Sequence, residues 1–187
     1  MTRQFSADPL DPRLVADLID AARRAPSAGY SQGVHFVVLT GEAISAFWQT
    51  TDAEAWFAET QPGVLLAPLI VLPIADPQAY TSRYSEADKA GHGLENAANW
   101  SVPFWLTDTA MAVQNLLLLV EARRLGALYF GIFRNAEVLL ADLGVPEGML
   151  SVGALAIGHR AATDRPSGSS TTRPRRAATE VVHYNHW

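Results

Sequence analysis

Residues 103–124 constrain the fold of this chain more than any other stretch. The stretch begins just after Ser101, which can cap a helix, and ends at Gly126, a normal C-terminal signal. Nearly every side chain between residues 110 and 120 is apolar, so no polar face is left for solvent. We therefore predict a long helix buried on all sides, packed between a sheet and another layer or between two subunits.

The rest of the chain mixes strands and helices. Short apolar runs bounded by glycine or proline predict strands, and apolar residues at a helical spacing predict helices. The predicted strands cover residues 34–40, 67–74, 127–133, 151–158 and 180–184, and the other predicted helices cover 12–24, 42–51 and 134–143. Because the two kinds of element do not alternate strictly, an α+β fold is favoured over a doubly wound sheet.

A polar loop at residues 25–34 joins the first predicted helix to the first predicted strand. The five residues from Gly29 to Gly33 match G-x-S-x-G, the nucleophile elbow of the α/β hydrolases, which would make Ser31 a catalytic serine. The elbow needs a strand before the serine and a helix after it, and the order here is reversed. A serine hydrolase is therefore the least favoured of the three functional hypotheses, and the other two are given below.

Composition excludes several classes of function. The 187 residues include no cysteine, which removes disulfides, thiolate nucleophiles and cysteine-ligated metal clusters. His183 and His186 lack carboxylate or cysteine partners on the tail, so no metal site is predicted. The net charge of −5 argues against a nucleic-acid partner. Without a signal-peptide pattern or an apolar run of about 18 residues, we expect one cytoplasmic domain over residues 1–187 and no membrane partner.

Two stretches predict irregular structure. Residues 76–102 scatter aromatic side chains among charges and glycines, and a loop of this length is usually functional or disordered. We expect a lid over a site, the alternative being a partly mobile excursion whose aromatic residues pack on the surface. Residues 161–187 are rich in Ser, Thr, Pro and Arg and predict an extended C-terminal arm, whose last strand adds to a sheet away from its own core.

Several segments, taken in order, resemble the nitroreductase family. They are Ala22 to Gln32 with the strand that follows, Trp100 to Trp105, Leu125 to Gly131, Ala154 to His159, and Arg173 to His183. The resemblance implies a three-layer α-β-α sandwich with a central mixed sheet and a long buried helix, in an intertwined homodimer with two FMN sites at the subunit interface. It also implies ping-pong hydride transfer from NAD(P)H to nitro, quinone or similar small organic acceptors.

The resemblance assigns cofactor contacts to four parts of the chain. The loop would meet the flavin ring, Gly131 with the Phe130 backbone would lie near N5 and C4=O, and the arm would hold the phosphate, because guanidinium groups match phosphate geometry. The N-terminal arginine would place charge near N1. The assigned residues are Arg3, Pro26, Ser27, Ala28, Tyr30, Gln32, Phe130, Gly131, Arg173 and Arg175. No side chain is given a catalytic role, since the flavin carries the redox chemistry.

The sequence departs from the family pattern at three places. Tyr30 stands where the family loop has asparagine, and Gly33 and Val34 stand where it has proline and tryptophan. Of the basic stretch that begins family members, only Arg3 aligns. Either the true start lies upstream, or FMN binds weakly or not at all. The second hypothesis is therefore a non-catalytic or weakly flavin-binding member that binds a small ligand at the dimer cleft. The expected substrate-pocket residues are Tyr80, Tyr84, Trp100 and Trp105.

Overall fold

The computed structural model describes residues 1–166 and 168–187, which form helices packed around one sheet. The helices are α1 (Pro12–Ala22), α2 (Glu42–Thr50), α3 (Glu54–Thr60), α4 (Pro77–Arg83), α5 (Phe104–Ala122), α6 (Ala136–Asp142) and α7 (Ser169–Thr172). The strands are β1 (Val34–Leu39), β2 (Leu69–Ala75), β3 (Gly126–Phe130), β4 (Leu150–Ser151) and β5 (Ala154–Gly158). Short 3₁₀ helices lie at Ala28–Tyr30, Pro62–Leu66, Ala97–Asn99 and Ala178–Glu180. None of the described helices is long and apolar enough to cross a membrane.

Helix α1, which leads into the polar loop, begins where the sequence supplies a cap. The Asp11 side chain accepts the Arg13 N–H at 2.8 Å, and Pro12 occupies the first helical position, where its fixed φ suits a helix. Leu18 and Ala22, one turn apart, are buried against the core. The predicted helix is confirmed, and it ends two residues earlier than the sequence pattern indicated.

The strands form one sheet in the order β1-β2-β5-β3, with β4 pairing with β2. Every pairing in the described chain is antiparallel, so the expected mixed sheet is wrong. The reason lies in the connections. Leu39 at the end of β1 pairs with Ile70 near the start of β2, and Phe130 at the end of β3 pairs with Ala154 at the start of β5. Each later strand therefore starts beside the point where its neighbour ended and runs back in the opposite direction, which makes the two strands antiparallel.

Helices cover both faces of this sheet. Ile70 and Leu72 of β2 belong to one core cluster, together with buried residues of α2, α3 and α6. Leu69 and Val71 point to the opposite face and belong to a second cluster, with buried residues of α1 and α5. Strand β2 is buried along its whole length, and this explains its continuous apolar sequence.

Pro73 lies inside β2, whereas the sequence placed it at the strand margin. Strand β2 pairs with β5 as far as Val71 and with β4 from Ile74 onward, so Pro73 occupies the gap between two ladders. A residue without an N–H is tolerated there. Its carbonyl accepts the Val152 N–H at 3.2 Å.

Helix α5 packs against the sheet on one side only. Its buried residues are Asp108, Thr109, Ala112, Val113, Leu116 and Val120. Phe104, Met111 and Leu118, seven residues apart along the helix, are 38%, 40% and 60% exposed. Packing of this helix between the sheet and another layer of the same chain is therefore wrong, and its packing between two subunits stays a prediction.

Residues 76–102 are more regular than the sequence analysis expected, since they contain α4. The Asp76 side chain caps this helix by accepting the N–H groups of Gln78 and Ala79 at 2.8 and 3.2 Å. Pro77 takes the first helical position. Turns and the short Ala97–Asn99 helix follow before α5. A lid role for this segment stays a prediction.

Residues 168–187, as described, pair with no strand of the sheet. Every side chain from 168 to 187 is exposed. The predicted strand at 180–184 is wrong for the described chain, which has a 3₁₀ helix at Ala178–Glu180 and turns after it. An extended segment without a neighbouring strand has no partner for its backbone N–H and C=O groups, so it gains nothing from the strand conformation.

Candidate functional site

A cavity of about 740 Å³ opens at the end of β3, between α2, α3 and residues 131–134. Its size falls in the range of small-molecule sites. Aromatic rings form much of its wall, and charged side chains of both signs stand at its edge. The lining includes Arg3, Phe47, Asp52, Trp56, Phe57, Glu59, Gln61, Phe130, Gly131, Phe133 and Arg134.

Phe130, at the end of β3, is fixed in the cavity wall by aromatic packing. Trp48 stacks on it with ring centroids 5.7 Å and planes 9° apart, and Phe57 meets it edge-on at 5.3 Å. Trp48 Nε1 is buried and has no hydrogen-bond partner among the described residues. A Cβ at the next residue, Gly131, would lie 2.8 Å from the Phe133 ring. The Phe133 ring therefore lies against Gly131, next to the aromatic packing around Phe130.

The N-terminal segment carries Arg3 to this cavity. The Thr2 N–H donates to the Ala127 carbonyl of β3 at 2.9 Å. Asp164 Oδ1 accepts the backbone N–H groups of Arg3 and Gln4, both at 3.1 Å. These bonds hold the backbone on both sides of Arg3, so the residue lines the cavity from a fixed position.

The charges around the cavity cancel. Arg134 forms an ion pair with Asp52, and both residues line the cavity. Arg3 and Glu59 are the other charged lining residues. Two cations thus face two anions, so the cavity does not concentrate the positive potential that attracts a phosphate group.

The predicted flavin loop lies beside α4 and α5, and none of its residues belongs to the described lining of the cavity. Ser27 Oγ accepts the Gln32 N–H at 2.9 Å, and the Ser27 carbonyl accepts the Tyr30 N–H at 2.9 Å. Gly29, Tyr30 and Gln32 have φ values of 61°, 58° and 54°. Two non-glycine residues in the left-handed region within three positions make this a strained loop.

Asp108 is a residue that the sequence reasoning missed. It is 2% exposed, and its Oδ2 atom accepts both the Ala28 N–H and the Tyr80 hydroxyl at 2.8 Å. Burial, and then the hydrogen bond to this carboxylate, raise the pKa of Tyr80 above its ordinary value. The available signal was that Asp108 is the one ionisable residue between positions 104 and 120 of an apolar helix.

The four predicted substrate-pocket residues form one aromatic cluster next to the loop. The centroids of Tyr84 and Trp100 lie 4.8 Å apart, and those of Tyr80 and Trp105 lie 6.2 Å apart. A Cβ at Gly29 would lie 2.7 Å from the Tyr84 ring. The structure thus brings the four residues together, but Tyr80 is fully buried and none of the four belongs to the described cavity lining. Their contact with substrate stays a prediction.

Arg173 and Arg175 lie on the exposed arm and outside the described lining of the cavity. In one chain the predicted cofactor residues therefore occupy three separate places. Arg3, Phe130 and Gly131 meet at the cavity, residues 26–32 lie beside α4 and α5, and the two arginines lie on the arm.

Ser31 has the contacts of a structural residue. Its Oγ donates to the Ala28 carbonyl at 2.6 Å, and the described contacts of this hydroxyl include no histidine. Helix α1 precedes the loop and β1 follows it, so the order required by a nucleophile elbow is reversed. A serine nucleophile needs an adjacent general base, and the described contacts supply none.

Sequence reasoning also missed Phe133 and Arg134 at the cavity, because the pattern assigned Phe133 to a strand and Arg134 to the helix after it. The strand ends at Phe130, and Phe133 is 94% exposed. An apolar run does not reveal where a strand ends when the residues after it are also apolar.

The match to known proteins covers nearly the whole chain. The model of the Nitroreductase family matches residues 1–159. The NADPH-flavin oxidoreductase of Vibrio harveyi is 27% identical over 188 residues, which cover 99% of this chain and 70% of that protein. Nitroreductase A from Vibrio parahaemolyticus superposes with a TM-score of 0.70 at 25% identity, over 100% of this chain and 72% of that chain. A nitroreductase-like protein from Streptococcus mutans, 17% identical, shares the fold with a TM-score of 0.72, over 99% and 93% of the two chains. The chain belongs to the nitroreductase family.

Proposed function

We propose that this protein is an FMN-dependent oxidoreductase that reduces nitro, quinone or similar small organic acceptors with NAD(P)H and works as a homodimer. Its family and its relative, an NADPH-flavin oxidoreductase, support flavin-dependent oxidoreduction. One observation carries the finer proposal: Arg3, Phe130 and Gly131 lie at the cavity, while the loop at residues 26–32 lies elsewhere on the same chain. A complete site then requires the loop of a second copy.

The uncovered face of α5 supports the second copy. Phe104, Met111 and Leu118 recur every seven residues, which places them on one side of the helix. Thr107 and Gln114 are exposed between them, and a row of large exposed apolar side chains is typical of an interaction surface. In the proposed homodimer this face packs against the partner, so that α5 becomes the long buried helix of a three-layer sandwich.

The cavity fits the flavin ring better than it fits the phosphate. Phe57 and Phe130 offer apolar walls, and Arg3 places a positive charge beside them. The cancelled charges around the cavity leave the phosphate to Arg173 and Arg175, which in the proposal reach it on the arm. When bound, FMN accepts and donates hydride.

The chain's own residues bind and orient the ring and exclude water, and none has to act as a nucleophile. In the proposed site Ser27 and Gln32 of the loop offer hydrogen-bonding groups to the polar edge of the ring. NAD(P)H and the acceptor would use the same space in turn, because one cavity opens at the end of β3. Ping-pong kinetics follow from this shared space.

The absorption spectrum of the purified protein, before and after addition of FMN, tests the proposal. We expect a yellow protein that carries one FMN per chain and gives parallel double-reciprocal plots with NADPH and a quinone. A colourless protein that takes up no added FMN would contradict the proposal.

The cancelled charges at the cavity favour one second candidate, a weakly flavin-binding or non-catalytic member that binds another small ligand in the same place. Arg134 is already paired with Asp52, so the cavity has little charge to offer a phosphate. Titration with FMN and with riboflavin separates the two functions. Equal affinities and no NAD(P)H oxidation with any quinone or nitro compound would support the second candidate, whereas turnover with such an acceptor removes it.

A further inference from the structure

Two charged side chains hold peptide groups of the flavin loop that are one peptide apart. Asp108 of α5 accepts the Ala28 N–H at 2.8 Å, and Arg83 of α4 donates from Nε to the Gly29 carbonyl at 2.9 Å. Both are charge-assisted hydrogen bonds, which are stronger than bonds between neutral groups. The side chain of Arg83 is only 21% exposed, and Asp108 is buried. A carboxylate thus holds the Ser27–Ala28 peptide group, and a guanidinium group holds the Gly29–Tyr30 peptide group.

The loop needs support because its backbone is strained. Tyr30 and Gln32 have positive φ values, and such conformations persist only where the surroundings determine them. The Tyr84 ring fills the space where a side chain on Gly29 would lie. The Tyr84 ring therefore packs against the loop, and Asp108 and Arg83 hold its backbone by hydrogen bonds.

Arg83 also binds the segment that follows α4. Its Nη1 and Nη2 atoms each donate to Asp88 at 2.7 Å, and Nη1 donates to Glu86 at 3.0 Å. The hydrogen bonds from Arg83 lower the pKa of Asp88 to about 2, so this pair is ionised at neutral pH. One guanidinium group therefore connects the flavin loop to residues 86–88.

We infer that Asp108 and Arg83 are positioning residues, and that together they form a clamp that fixes residues 27–32 in the conformation that meets the flavin. The clamp consists of the two hydrogen bonds to Ala28 and Gly29. Neither side chain touches reacting atoms in this scheme. The flavin contact rests on the proposed function, whereas the order of the loop does not, so the two can fail separately.

A spin label on the loop measures the clamp without any cofactor. Because the chain has no cysteine, Gln32→Cys creates a single labelling site on an exposed loop residue. In the otherwise unchanged protein without FMN we expect an immobilised nitroxide spectrum. Arg83→Gln and Asp108→Ala should each give a mobile component, and Asp108→Asn should restore order because its amide oxygen can still accept the Ala28 N–H.

Two further variants separate the clamp from a general loss of stability. Arg24→Gln is the matched control, since Arg24 is close to the loop in sequence but its side chain binds only Asp20 in the described chain. It should leave the label immobile. Asp88→Asn should give an effect of the same sign as Arg83→Gln but smaller, because Arg83 keeps its bond to Gly29. If Asp108→Ala does not fold, Arg83→Gln decides the outcome. A folded Arg83→Gln protein with an immobile label overturns the inference.

FMN affinity of the unlabelled variants provides the second readout. Arg83→Gln and Asp108→Ala should each raise the Kd for FMN by about tenfold, the size expected from losing one charge-assisted hydrogen bond that orders the loop. If the unchanged protein binds no FMN, the proposed function is wrong. The mobility of the spin label still shows whether Asp108 and Arg83 order the loop. If FMN binds with equal affinity in the unchanged and variant proteins, the clamp does not position the flavin contact.

Discussion

The loop at residues 26–32 and the cavity at the end of β3 are built in opposite ways. The loop is held by bonds from α4 and α5 and keeps strained backbone angles. The cavity is walled by packed rings, and it leaves about 740 Å³ open. The loop is thus held in one conformation, whereas the cavity has open space that can bind a ligand. A site made from both regions combines a fixed set of hydrogen-bonding groups with an adaptable apolar space.

Leu118→Arg tests whether the loop and the cavity of one flavin site belong to different copies of the chain. We expect it to have the largest effect on FMN affinity. A charge on the exposed face of α5 should dissociate the proposed homodimer and weaken FMN binding by at least about 100-fold, since a buried unpaired charge is strongly unfavourable. Light scattering gives the mass, and flavin fluorescence gives the affinity. Val138→Arg, on the exposed surface of α6, is the control and should change neither. A monomer that still binds FMN tightly would place both regions of the site on one chain.

Gly29→Ala tests how closely the loop is packed. The new Cβ would lie 2.7 Å from the Tyr84 ring, at a φ of 61° that alanine adopts reluctantly. We expect a loss of about 2–3 kcal/mol in the free energy of unfolding, measured in urea. Gly144→Ala has a similar φ of 69° and open space around it, so it should cost only about 1 kcal/mol. Equal losses would mean that Tyr84 yields and the loop is not tightly packed.

Tyr30→Asn tests the strain in the loop. Asparagine tolerates the left-handed region better than tyrosine, and the Tyr30 ring is 74% exposed, so little packing is lost. We expect a gain of about 0.5–1 kcal/mol in the free energy of unfolding. Tyr30→Phe keeps the strain and should leave stability unchanged. A loss of stability in Tyr30→Asn would show that the tyrosine ring has a stabilising contact of its own.

Alkaline pH tests the buried hydrogen bond behind the loop. The pKa of Tyr80 is raised by burial, by Asp108 and by Asp76, so the folded protein keeps this proton when the unfolded chain has lost it. Its contribution to stability is complete below about pH 10 and falls by about 1.4 kcal/mol per pH unit as the pH rises toward the folded pKa. Urea titrations from pH 9 to 11 should show this slope in the unchanged protein and a shallower slope in Tyr80→Phe. Identical slopes in the two proteins would show that the Tyr80 hydroxyl does not contribute to the pH dependence of stability.

Local patterns predicted the elements whose signals are local. Strands β1 and β2 and helices α1, α2 and α5 lie close to their predicted positions, because apolar spacing, caps and breakers act within a few residues. Helix α4 was missed although Asp76 and Pro77 repeat the start signal of α1. The antiparallel order of the sheet depends on where each connection returns, and apolar spacing does not record that.

Only those residues of the candidate site that match segments of the family pattern could be predicted from the sequence. The bond from Ala28 to Asp108 joins residues 80 positions apart, and no spacing rule links them. Tyr30 and Gln32 have positive φ values, which residue type alone argues against. The cavity wall depends on Trp48 stacking on Phe130, which is likewise a contact between distant parts of the chain.

A mixed dimer tests most directly whether the cavity of one copy and the loop of the other form each flavin site. Arg3→Glu damages the cavity and Gly29→Val damages the loop, and each variant should bind no FMN as a homodimer. Coexpression with two different tags isolates the dimer that contains one chain of each kind, and flavin absorbance gives its stoichiometry. We predict one FMN per mixed dimer, because one site then combines two damaged halves and the other combines two intact halves. A mixed dimer that binds no FMN would contradict the shared site, since every chain would then need both of its own halves.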